Sequence, residues 1–172
     1  MNRRKLRGAL GKHLPGSLRT AVGAFVGIAS LGAVSATLGP DAGTSPLLIA
    51  PLGATAMILF AKPGRPAARP YVVLVGNTAG ALTGLLFAQL ASTGMLAVAL
   101  ALATAVLVMT LLRAVHPPGA GIALVAALAG TQPWADALRF LLANVLLSSS
   151  ILVGVALAWD SLALRLSRHF QF

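Results

Sequence analysis

Cysteine is missing from this 172-residue chain, and acid is nearly so: Asp41, Asp136 and Asp160 are its only carboxylate side chains. Without cysteine there are no disulfides, no thiolate metal sites and no cysteine nucleophiles. Charged residues make up 9% of the chain, where a soluble domain has about 25%. A soluble fold of this length could not cover its surface with so few polar groups. Aromatic residues are scarce as well, with one Tyr and two Trp. The net charge of +10 therefore lacks the aromatic interleaving expected of a nucleic-acid surface. Its basic residues sit instead at the ends of apolar runs, where the positive-inside rule accounts for them. A 58% hydrophobic chain of this kind is an integral membrane protein, with the lipid bilayer as its solvent and no nucleic-acid partner.

Six apolar segments follow in order. Residues 1–19 form a basic tail carrying Arg3, Arg4, Lys5, Arg7, Lys12 and Arg19. A signal peptide cleaved near Ala33-Val-Ser-Ala36 is a second reading of this end. It would remove the first helix of the repeat described below. The first span, 20–38, is long enough for a hydrocarbon core of about 30 Å. Its Gly23 and Gly27 suit close helix packing. Residues 39–45 are a loop without Lys or Arg. From Ser45 to Ala50 the chain should run extended, because Pro46 and Pro51 interrupt it. A short helix should follow over Pro51–Ala61, since proline is accepted in a first turn.

The basic loop 62–69 leads to a full span over 70–90, with Asn77 and the packing row Gly76, Gly80 and Gly84. Another span covers 96–113 and ends in Arg113. Then comes His116-Pro117-Pro118-Gly119, a break that begins a short helix over about 118–129. The last span, 137–159, carries Asn144 and the serines 148–150, which are expected to bond back into their own helix. Residues 161–172 are a short tail, and His13 and His169 fall in the two tails. With both termini cytoplasmic, 12 of the 13 Lys and Arg lie on the inner side, Arg139 being the exception. A four-span arrangement with two membrane-dipping proline segments satisfies the same charge pattern.

The segments repeat. Pro51-Leu-Gly53-Ala54 aligns with Pro117-Pro-Gly119-Ala120 at an offset of 66, and Asn77 with Asn144 at 67. Each half reads long helix, proline-broken short helix, long helix with Asn. Three crossings per half would invert repeat 2 (about 96–160) relative to repeat 1 (about 20–90) within one transmembrane domain over 20–160. The fold class is thus an all-α membrane protein of six segments in two inverted three-segment repeats. Such repeats, with interrupted segments in matching positions, point to a transport site.

The candidate site follows from the breaks. The first N–H groups of a helix have no partner within it and favour an anion. Two such N-termini meeting mid-membrane would hold one small inorganic anion, with Gly53 and Gly119 allowing close approach. His116 would add a donor whose charge responds to pH, or would be a neutral histidine bonded to a carbonyl freed by the break. Asn77 and Asn144 would touch the substrate or brace the broken helices. Thr55 offers a hydroxyl, and Arg113 is an interfacial anchor or a collector of anions. No aspartate sits mid-span and a lone histidine makes a poor metal site, so no enzyme activity, cofactor or metal is expected.

Leu112-Arg113 followed by His116-Pro-Pro-Gly-Ala, together with the upstream segment Ser45-Pro-Leu-Leu-Ile-Ala-Pro51-Leu-Gly-Ala-Thr, resembles the HPP family of integral membrane proteins over roughly residues 20–160. The resemblance implies a helical membrane protein. It also implies nitrite transport, in which plastid and cyanobacterial members are implicated. Some relatives carry a C-terminal CBS domain, which is not expected after the last span here. The residues themselves point to a small anion without choosing among nitrite, nitrate, formate and chloride. They point to a bacterial inner membrane, and the glycine-rich faces allow a homo-oligomer. Two functions remain open. A transporter would show a polar site at His116, Asn77, Asn144 and the two short-helix N-termini. A non-transporting scaffold or sensor would show a closed core with His116 bonded internally.

Overall fold

A computed structural model describes residues 3–37, 49–90 and 94–169, with side chains over 16–37, 49–90 and 94–163. The stretch Ser45–Leu48 and most of the two loops at 39–45 and 91–95 lie outside the described residues. Among the described residues every regular element is helical. They are α1 (Arg3–Thr37), α2 (Ala50–Ala61), a single 3-10 turn (Pro66–Ala68), α3 (Pro70–Leu90), α4 (Met95–Leu111) and α5 (Pro117–Leu128). The last rod begins as α6 (Trp134–Arg139), passes through a π-helical stretch (Phe140–Leu147) and ends as α7 (Ser148–His169). Three apolar stretches are long enough to cross a membrane: Gly16–Thr37, Pro70–Leu90 and Trp134–Ala163. Three apolar helices, α2, α4 and α5, are shorter.

Two local outcomes differ from the sequence reading. The helix of the first span extends back to Arg3 through the basic segment, whose Arg, Lys and Leu are all good helix formers. The serine-bearing span contains a π stretch, which shifts the Ser148 hydroxyl bond to the carbonyl five residues back, Ala143 O, at 3.1 Å. The proline breaks fall within one residue of expectation. Ile49 and His116 are both extended N-caps, at φ −119° and −121°, and each helix has proline in its first two positions. Both helices have 12 residues, about 18 Å at about 1.5 Å per residue. Neither crosses a core of about 30 Å alone.

The helix starts at Ala50 and Pro117 are 67 residues apart, a spacing that sets Pro51 beside Pro118 rather than Pro117 if the two halves are compared. At that spacing Gly53 falls beside Ala120 and not Gly119. The same offset now relates Asn77 to Asn144.

Three contacts fix the directions of the inner helices. Along α3, Gly76 faces Ala114 and His116, Gly80 faces Gly119, and Gly84 faces Ala123 and Ala126, so α3 and α5 run parallel. These approaches require glycine. A Cβ on Gly76 would sit 2.5 Å from His116 Cβ, and one on Gly80 would overlap the Gly119 carbonyl oxygen. Pro51 lies against Gly121 while Thr55 meets His116, so α2 runs antiparallel to α5 and their first turns pass side by side. On the outside, α1 packs against α2 and α7, and α4 against α5 and α3.

The chain turns sharply between α4 and α5. Ala114 N–H donates to Met109 O at 2.8 Å and Arg113 N–H to Thr110 O at 3.1 Å. This is the paired bonding of a Schellman ending, which needs a left-handed residue and usually takes glycine. Here Arg113 takes that place, with φ at 51°. The Tyr71 hydroxyl donates to Leu112 O at 2.9 Å, which ties the end of α4 to the start of α3.

Candidate functional site

Where the two short helices pass, polar side chains meet in the interior. Thr55, Asn77, His116, Ser148 and Ser149 are all fully buried. Each is placed by a different feature of the sequence. The Pro117-Pro118 start makes His116 the N-cap of α5, and Gly76 lets its Cβ lie against α3. Thr55, in the second turn of α2, is brought opposite by the antiparallel crossing. Asn77, one residue further along α3, reaches Thr55 and Ser149.

The hydrogen bonds run in a line. His116 Nδ1 lies 3.0 Å from Ala67 O, in the loop before α3. His116 Nε2 lies 3.1 Å from Thr55 Oγ1. Asn77 Nδ2 donates to Ser149 Oγ at 2.9 Å and, more weakly, to Thr55 Oγ1 at 3.5 Å. Asn77 Oδ1 is buried and has no partner. A buried polar atom left unpaired costs about 1–3 kcal/mol. Reversing the amide would move that cost to its nitrogen without removing it, because only one end can face Thr55 and Ser149.

The helix N-termini offer fewer donors than their number suggests. Pro117 and Pro118 have no N–H, and Gly119 N–H is committed to His116 O at 2.9 Å. On α2, Pro51 has none, and Leu52 N–H is committed to Ile49 O at 2.9 Å. The polar capacity at the crossing therefore resides in side chains.

The residues singled out in the sequence separate into two groups. His116, Thr55 and Asn77 come together, with Pro118 and Gly119 buried beside them and Pro51 half-buried against Gly121. Gly119 packs against the Gly76 carbonyl, so its open side is already filled by α3. Gly53 is exposed and has open space where a Cβ would go. Pro117 and Arg113 are exposed, and Asn144 sits half-buried on the π stretch, outside the cluster. Two members were not anticipated. Ser149 bonds across to Asn77, whereas its neighbours Ser148 and Ser150 do bond back into their own rod. The Ala67 carbonyl is the second. The need of a buried asparagine for a partner, beside a row of serines, was the available signal for Ser149. Nothing in the sequence marks a particular backbone carbonyl.

The family model of the HPP transmembrane region matches residues 11–170, and the chain belongs to this family. No curated protein and no solved structure is similar enough to match. The family's transmembrane region and the apolar helices together make this a membrane-embedded protein.

Proposed function

We propose that this member of the HPP transmembrane family moves a small inorganic anion across the membrane, with nitrite the first candidate, at the cluster of Thr55, Asn77, His116 and Ser149. The observation that carries the reading is the fully buried Asn77 amide with an atom left unpaired. Polar groups inside a membrane protein are costly, and they mark substrate or ion pathways. Proline-started short helices in the interior are a second support, because broken helices persist where protein or a cavity covers them. The pairing of α1 with α2 and α7, and of α4 with α5 and α3, supports two inverted repeats about that cluster. The choice of nitrite rests on what is implicated for plastid and cyanobacterial members of the family.

The same reading places the loop 62–69 on the cytoplasmic side of a bacterial inner membrane. The bonds from His116 to Ala67 and from Tyr71 to Leu112 bring Lys62, Arg65, Arg69 and Arg113 to one end of the molecule. Arg19, paired with Asp160 at 2.7 Å, joins them through Thr20 and the Phe60 carbonyl. One basic end is what the positive-inside rule asks for.

A non-transporting scaffold or sensor is the second reading. What favours it is His116, which is fully buried and bonded within the protein at both ring nitrogens. On the transport reading this is a closed arrangement that α2 and α5 must part to open. Uptake of nitrite, nitrate, formate and chloride into proteoliposomes, with and without a pH gradient, separates the two. Saturable uptake that falls in His116→Ala is expected. No flux of any of the four above empty vesicles would put the scaffold reading ahead.

A further inference from the structure

The line of hydrogen bonds at the crossing has a direction, and its donors and acceptors determine it. The Ala67 carbonyl can only accept, so His116 Nδ1 bears a hydrogen. A neutral imidazole then has an acceptor at Nε2, and the Thr55 hydroxyl donates to it. With its hydrogen committed, the Thr55 oxygen is left to accept from Asn77. The amide therefore presents its NH2 to Thr55 and Ser149, and Oδ1 becomes the atom without a partner. The unpaired position faces an acceptor, and an anion has nothing to bind there.

One proton on Nε2, taken from water on the side to which the cluster opens, reverses the line. Nε2–H now donates to Thr55 Oγ1. The Thr55 hydrogen is released toward the Pro51 carbonyl, 3.4 Å away, or toward the amide. If the amide turns over, Oδ1 accepts from the Thr55 and Ser149 hydroxyls, and the NH2 group moves to the unpaired position. No other bond forms or breaks. A buried site with two free N–H donors beside a cationic ring takes an anion.

We propose that Asn77 is the group that contacts the transported anion, and that the charge of His116, relayed through Thr55, decides which end of the Asn77 amide faces it. The proposal rests on the anion-transport reading above. It gives that reading a coupling rule: the anion is held only together with a proton, so the pair crosses as a neutral unit. Other charges are poorly placed to substitute. On the elements packed around His116, α2 has no titratable side chain and α3 only Tyr71. The adjoining loop holds Lys62, Arg65 and Arg69 and the α4 end holds Arg113, all exposed and cationic. Asp160 on α7 is paired with Arg19.

The test uses the full chain in lipid bilayers, labelled with 15N at asparagine side chains and histidine rings. There are three of each, Asn2, Asn77 and Asn144, and His13, His116 and His169, so single substitutions assign them. The Asn77 amide signal is expected to shift over the same pH step as the His116 ring, and added nitrite to shift it further only on the acid side. In Thr55→Val the ring should still titrate while Asn77 no longer follows. Thr55→Ser, which keeps the hydroxyl, should restore the coincidence, an outcome that a merely structural Thr55 would not give. An Asn77 amide indifferent to the ring, one that follows it equally in Thr55→Val, or a ring that stays neutral throughout the folded range would overturn the proposal. Nitrite uptake measured alongside keeps the two readings apart. Uptake with an indifferent amide removes the relay and leaves transport. A coupled, nitrite-sensitive amide without uptake removes transport and leaves the relay.

Discussion

The two short helices cross so that the N-cap of each lies near the sixth helical residue of the other, and the two meeting places differ in chemistry. At one, the N-cap His116 meets Thr55 at 3.1 Å, with Asn77 and Ser149 beside them. At the other, the N-cap Ile49 packs against the cluster of Ala81, Ile122 and Val145. The offset of 67 relates His116 to Ile49 and Ile122 to Thr55. The apolar version shows that this backbone crossing can be built without a single polar side chain. Packing therefore does not explain the polar version. A hydrogen-bonded cluster with one unmet atom is a costlier way to fill the same place, which is why the cluster is the site we propose.

The long helices differ in the same sense. α3 presents Gly76, Gly80 and Gly84 to α5, and the backbones touch. The corresponding positions on the last rod are Ala143, Leu147 and Ile151, none of them fully buried. Hence α3 and α5 form one tight unit, and α2 is held by ordinary apolar side chains such as Leu52, Leu59 and Phe60. Any opening of the crossing then separates α2 from the α3–α5 pair.

The largest effect should come from closing the glycine contact. Gly80→Ala puts a methyl group into the Gly119 carbonyl, where both sides are backbone and neither yields. A loss of about 3 kcal/mol or more is expected, read as a fall in the unfolding midpoint in detergent. Leu147→Ala, at the corresponding exposed place, should change stability by under about 0.5 kcal/mol. Equal losses at the two positions would show that the helix pairs are packed alike.

Next is the double change Thr55→Val with His116→Leu, which gives the polar crossing the chemistry of its apolar counterpart. Removing both partners of the His116–Thr55 bond is close to neutral, while the Ala67 carbonyl loses its donor, so the fold should persist with a loss of no more than about 3 kcal/mol. Anion uptake should vanish. A collapsed fold would mean that the cluster is structural after all. The smallest effect belongs to Arg113→Gly. Relief of the left-handed backbone should stabilise by about 1 kcal/mol. Uptake should be unchanged if the exposed side chain is only an anchor. A drop in uptake with rising stability would instead show that its charge gathers the anion.

Much of the backbone was legible because proline and charge act locally. Proline tolerates only a first helical turn, so Pro51 and Pro117-Pro118 fixed the starts of α2 and α5 to within a residue. The span 70–90 follows directly from its apolar run, bounded by Arg69 and Pro70. Less legible was the basic segment from Arg3, where helix and solvated tail have the same composition. The π stretch was hidden too, since one extra residue per turn leaves no mark on an apolar pattern.

The sequence by itself determined a membrane protein with two proline-started short helices and basic residues gathered at the ends of its apolar runs. Each of these follows from single residues or short runs meeting water or lipid. Only the tertiary structure decided which polar groups meet. Asn77 and Asn144 occupy equivalent places in the sequence pattern, yet one is fully buried against Ser149 and the other is half-buried on the π stretch. Gly53 and Gly119 looked like partners, and one faces open space while the other lies under Gly76. A hydrogen bond between helices depends on the depth and closeness of their crossing. Here that depth was set by the glycine row of α3 against the backbone of α5, a contact between segments some 40 residues apart.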